Sequence, residues 1–261
     1  MIDFTLDQLY GWINNFLWPL FRIGGLVAMA PIFGEATVPV RIKVGLAVVL
    51  TLVVAPLIGP MPAVVPSSYA GLLIALQQVL IGMALGFCMR LIFTAAMMAG
   101  EFIGLPMGLA FASFFDPATG ANTAVLSRLI NLVALLMFLA VNGHLLMLDG
   151  LVRTFDLLPV GASLNVNGWG ALMEWSGQLW ISGILLALPI LIVLLAINLS
   201  LGILNRTAQQ LSIFAVGFPI TLTTGLVMLA IVLPQSKEFL TQLFESGYQT
   251  MAQIARGLAG L

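Results

Sequence analysis

The side chains that could do chemistry are few and poorly spaced for it. A single histidine, His144, stands in the run VNGHLLMLDG with Asp149 five residues on. That separation is about one and a half helical turns, so the two fall on different faces of a continuous helix. No second histidine and no Cys or carboxylate cluster at metal-binding spacing accompanies them. His144 therefore reads as a structural or capping residue near a helix end, and neither a metal nor another cofactor is expected. The lone cysteine, Cys88, lies in the apolar run LIGMALGFCMR. It can form no internal disulfide and reads as a small buried hydrophobe. The chain has no HExxH, no Gly-rich phosphate loop followed by Lys-Ser/Thr, and no GxSxG. Nor does it carry a signature Ser–His or Asp–Asp pair for intramembrane proteolysis, so catalysis is not expected.

The other polar residues are informative through their position. Asn14, Asn15, Arg22, Gln77, Gln78, Arg90, Asn131, Asn142, His144 and Asn198 all fall inside apolar blocks. A charge at the centre of a lipid-facing helix costs about 2.5–3.5 kcal/mol even on the lenient insertion scale. These groups are therefore expected to face another helix or a watery lumen. For an amide, the plain alternative is a satisfied interhelical hydrogen bond, worth about 0.6 kcal/mol on average.

The elements that must position them follow from composition. Of 261 residues, 61% are hydrophobic and 7% charged, with a mean hydropathy of +1.13. Soluble domains carry about a quarter charged residues, so most of this surface must face lipid or other protein. A net charge of −1, with nine Lys and Arg scattered along the chain, leaves no basic patch for nucleic acid. The start, MIDFTLDQLYGW, lacks the basic residues of a cleavable leader. Insertion is expected to rely on internal helices, with the start retained.

Six apolar blocks run approximately over 9–32, 44–59, 71–99, 129–149, 179–204 and 211–233. A spanning helix needs about 20 apolar residues. The second block ends on Pro56 and is short enough for a half-span, while the third is long enough to bend at Gly82 and Gly86. Residues 55–68 hold four prolines and no charge, which reads as a rigid turn. Residues 159–170 read as a polar loop. The tail from Pro234 reads as an amphipathic helix lying against a partner or interface, with Phe239, Leu240, Leu243 and Phe244 at helical spacing. With the N-terminus outside, the inner connections hold Arg41, Lys43, Arg90, Arg128 and Arg206. The outer ones hold Arg153, Lys237 and Arg256, and five against three favours both termini outside.

Residues 100–128, GEFIGLPMGLAFASFFDPATGANTAVLSR, are too rich in Gly and Pro for a spanning helix and too apolar for a surface loop. Irregular backbone at membrane depth is tolerated only when buried in protein or lining a cavity. Two readings stay open on these residues alone. One is a re-entrant loop packed as core filler; the other is an apolar constriction that gates a pore by dewetting.

Three stretches together resemble one family, the FliR-type export-gate subunits of flagellar type III secretion, with the SctT family as injectisome counterpart. They are PIFGEATVPVRIKVGLAVVLTLVVAP; GEFIGLPMGLAFASFFDP followed by FLAVNGHLLMLDGLVRTF; and LNRTAQQLSIFAVGFPITLTTG. The resemblance covers essentially the whole chain. One departure is Gln209-Gln210 where the family commonly has Pro-Gln, so the turn after Arg206 is expected to be more helical than usual.

The resemblance implies an all-α membrane-type protein of bent helical hairpins, packed into a multi-subunit gate with FliP-like and FliQ-like partners and an FlhB-type subunit. The chain would behave as a P-type and a Q-type subunit fused, residues 1–170 being P-like and 171–261 Q-like with the amphipathic tail. It would sit in the bacterial inner membrane, in the flagellar basal body, part of the assembly standing on the periplasmic side. The family's plug loop matches residues 106–122. Met107, Phe111, Phe114 and Phe115 would close the pore to unfolded exported proteins, and Gly104, Gly108 and Gly120 would bend on opening. Arg22, Arg90, Glu101, Arg128, His144, Arg206 and Gln210 become candidates for polar contacts between helices or subunits. A secondary transporter would share the broken helices and buried charges, but no repeat relates the two halves. A structural scaffold without a pore is the remaining rival.

Overall fold

The structure, a computed structural model, describes residues 6–109, 125–207 and 213–261. The described residues form α1 (Leu6–Met29), α2 (Val40–Val54), α3 (Tyr69–Gly104), α4 (Val125–Ala140), α5 (Gly143–Leu157), α6 (Trp169–Thr207) and α7 (Ile213–Ala259). Among them, four stretches are long and apolar enough to cross a membrane: Val40–Leu57, Tyr69–Gly104, Val166–Thr207 and Val216–Ala259. The pair α4 and α5, bent by 68°, makes a fifth if taken as one span. The all-α membrane architecture expected from composition is what the chain adopts. The first apolar block is not among these spans; in α1 the polar Asn14, Asn15 and Arg22 interrupt its apolar length.

Local chemistry explains the breaks. Ser68 caps α3, its hydroxyl accepting from the Gly71 amide at 3.1 Å. The apolar block expected over 129–149 is broken between α4 and α5, because Asn142 takes a left-handed φ of 56° ahead of Gly143. Asparagine is one of the few residues that visits that region readily. The tail expected to start afresh at Pro234 does not: α7 runs through Pro219 and Pro234 without a stop. The third block is one helix of 36 residues, continuous through Gly82 and Gly86.

The chain divides into two compact units. The first contains residues 1–91, 142–176 and 244–261. Here Gly82 and Gly86 do the work of close packing. A Cβ on Gly82 would collide with the Arg22 carbonyl, and one on Gly86 would stand 2.6 Å from the Leu26 carbonyl. Gly25 of α1 answers from the other side, 2.5 Å from the Val79 carbonyl. Small residues thus let the backbones of α1 and α3 touch. Asn14 donates to the Pro62 and Val64 carbonyls at 3.1 and 2.9 Å and pins the proline-rich connection to α1. Cys88 is buried, as its apolar surroundings suggested, and its carbonyl accepts from the Trp175 indole at 3.1 Å. The end of α7 buries Phe244, Met251, Ile254, Ala255 and Leu258 inside this unit. That part of the tail is core, and the expectation of an interfacial helix is corrected here.

The second unit contains residues 92–141 and 177–243. Phe93 meets Phe138 edge-on, with ring centroids 5.4 Å apart. Ile103, Ile130, Ala187, Ile190 and Leu194 are buried in the same unit. Gly100 lies against the backbone of Ser127, and a Cβ on Gly183 would stand 3.0 Å from the Ala95 carbonyl, so close backbone approach again sets the packing.

Candidate functional site

Two places concentrate polar and strained features, one in each unit. In the second unit, α3 ends at Gly104 and the chain turns through residues 105–109 towards the central loop. Leu105 donates to the Glu101 carbonyl at 3.1 Å, Gly108 to Leu105 at 3.0 Å and Leu109 to Gly104 at 3.1 Å. The turn needs φ +81° at Gly108, a conformation that any side chain would strain. Gly104 and Gly108, expected from sequence to bend, stand at the last residue of α3 and in the turn that follows it.

The turn is held from outside by two other helices. The Asn198 amide of α6 donates to the Pro106 carbonyl at 3.1 Å. Met107 is fully buried, and its side chain fills the space left by Gly225 of α7. A Cβ there would stand 2.6 Å from the Met107 Cγ, Sδ and Cε alike. The Thr221 hydroxyl lies 3.5 Å from the Met107 carbonyl, and nearer, at 3.1 and 3.2 Å, to the carbonyls of Gly217 and Phe218 in its own helix. Met107 is therefore seated at the base of the loop. Phe111, Phe114, Phe115 and Gly120 lie outside the described residues, as does Gln210.

In the first unit, the guanidinium of Arg22 is fully buried and donates four hydrogen bonds, all to neutral acceptors. Nε donates to Gln78 Oε1 at 2.8 Å. Nη1 donates to the Thr154 carbonyl at 3.0 Å and hydroxyl at 3.2 Å. Nη2 donates to the Leu158 carbonyl at 2.9 Å. The Phe155 ring lies under it, 4.1 Å from Cζ to the centroid. Both carbonyls lie at the α5 C-terminus, where the helix dipole favours a cation; that of Thr154 also accepts from the Leu158 amide at 2.9 Å. Arg22 is thus a cap that joins α1, α3 and α5 with no carboxylate among its hydrogen-bond partners.

The structure does not gather the remaining sequence candidates into one site. Arg90, Glu101, Arg128 and Arg206 are exposed. His144 is half-buried at the start of α5, next to Gly143, whose carbonyl accepts from the Tyr248 hydroxyl at 3.1 Å. Asp149 pairs instead with Arg153, at 2.8 Å on an exposed face. Sequence reasoning missed Thr154, Gly225 and Tyr248. Asn198 and Gln78 were visible as amides inside apolar runs, but their partners are a backbone carbonyl and a distant arginine, which residue type does not reveal.

Compared with known proteins, residues 13–247 match the family model described as bacterial export proteins, family 1. The chain is 45% identical over 255 residues to the flagellar biosynthetic protein FliR of Escherichia coli (strain K12), covering 97% of each. It is also 45% identical over 260 residues to the protein of that name in Pectobacterium carotovorum subsp. carotovorum, covering 99% of each. Similarity extends to the Bacillus subtilis (strain 168) protein of the same name, at 28% identity over 243 residues, or 92% of this chain and 93% of that one.

Proposed function

The chain belongs to the bacterial export proteins, family 1, and on that premise we propose that it is the R-type subunit of a flagellar type III protein export gate. With FliP-like and FliQ-like partners and an FlhB-type subunit it forms the passage for unfolded flagellar proteins, as a component of the passage rather than as a catalyst. Residues 1–170 correspond to a P-like part and 171–261 to a Q-like part. The assembly belongs to the bacterial inner membrane and the flagellar basal body, with part of it on the periplasmic side.

The observation that carries this reading is the seated stem at residues 104–109, followed directly by a stretch with three phenylalanines within five residues, Phe111, Phe114 and Phe115. Such a cluster of apolar side chains, fixed at its base, suits a removable seal for a pore. Phe111, Phe114 and Phe115 close the axis and give way to the passing chain. The outward faces support the need for partners. Only 17% of the α6 span window and 22% of the α7 span window are buried, against 50% for α3. α6 has 39 residues, a length of about 58 Å against a hydrocarbon core of about 30 Å. Lipid cannot cover all of it, so partner helices cover the remainder.

Capturing the tagged chain from native membranes in mild detergent tests the assembly. The expected result is a stable body containing at least two further helical subunit types and an axial channel. A monomer with a midplane cavity would refute the reading in favour of a transporter.

A further inference from the structure

We infer that Asn198 and Gly225 are positioning residues for the central loop: together they form the seat that fixes where the chain leaves α3, and the tightness of the closed gate depends on that seat. The inference rests on the sealing role proposed above. The two contacts are of different kinds and act on successive residues. Asn198 directs a hydrogen bond to the carbonyl of Pro106 at 3.1 Å. This amide follows the uninterrupted apolar run ILLALPILIVLLAI of α6, where an unpaired polar group is costly. Gly225 acts through shape. A glycine inside a helix weakens it relative to alanine, yet here it leaves the room that Met107 occupies, 2.6 Å from where a Cβ would be. Gly108 at φ +81° then sets the exit direction one residue later. A directional contact, a steric contact and a conformationally special residue therefore act on three consecutive positions, 106 to 108. On the proposed division, the Q-like part holds in register a loop that belongs to the P-like part.

The test is potassium efflux from cells carrying the native export complex, with a deletion of residues 108–119 as the reference for an unsealed gate. Asn198→Leu and Gly225→Val should each raise efflux while leaving recovery of the complex at the wild-type level. Loss of one hydrogen bond predicts a shift of roughly 2- to 12-fold for Asn198→Leu. Met107→Ala, which empties the space that the introduced valine side chain would need, should bring efflux of the Gly225→Val variant back towards wild type. A merely structural role would not show that size-dependent rescue. The seat is overturned if the reference leaks while both single variants stay tight, or if the paired substitution leaks as much as Gly225→Val alone. If Gly225→Val prevents recovery of the complex, Asn198→Leu decides in the same assay, leakage supporting the seat and tightness overturning it. A tight reference strain overturns the sealing role itself, and the seat's part in it.

Discussion

Arg22 is a charge buried inside a protein of low polarity, and its solution is to direct its donors at neutral oxygens of Gln78, Thr154 and Leu158. Removing it takes the charged donor away from these buried oxygens. Arg22→Met should therefore destabilise the purified protein by on the order of 3–5 kcal/mol, measured by thermal or denaturant unfolding in detergent. Arg22→Lys should restore less than half of that, because a compact ammonium cannot reach three separated acceptors as a planar fork does. Wild-type stability of Arg22→Met would contradict the capping role. The sequence showed that this arginine needed a helix or a lumen to face, and the structure supplies the helix. Its partners were not legible, since two of them are backbone carbonyls at the end of α5 rather than side chains with a recognisable pattern.

At the scale of elements, glycine and proline carried signals that were read correctly in kind but not always in consequence. The proline-rich connection and the Asn142–Gly143 break arise where turn chemistry predominates, although a continuous apolar block masked the second. Gly82 and Gly86, read from sequence as places to bend, are contact points with α1, because the packing of a helical glycine depends on a neighbour that one sequence does not show. Two contrasts follow. Gly82→Ala should separate α1 from α3 and lower stability, whereas Gly45→Ala, with nothing within 4 Å of its Cβ, should be neutral or raise helix stability by up to about 1 kcal/mol. Asn142→Gly should be tolerated, while Asn142→Val, forced to the left-handed φ of 56°, should cost roughly 1–2 kcal/mol. Unfolding midpoints of the four variants in one detergent check both contrasts. Equal loss at Gly82 and Gly45 would remove the close-packing account of α3.

At the scale of the molecule, the apolar composition is divided between two compact cores and long outward helix faces. The family, the helical architecture and the apolar spans were legible in the sequence because composition and three ordered stretches carry them. The way that the last helix returns part of its length to the first unit was not, since it depends on α7 continuing through Pro234. Glu101 is exposed one turn before residues 104–109, and we propose that it contacts a partner subunit. Glu101→Gln should reduce co-purification of the FliP-like and FliQ-like subunits, and unchanged recovery would remove that contact from the account. The central claim is that the segment rooted at Gly104–Leu109 seals a passage. Ion leak through the assembled complex after deletion of residues 108–119 tests it most directly. The account predicts an assembled complex with a clear rise in leak; an assembled complex that stays as tight as wild type would contradict it.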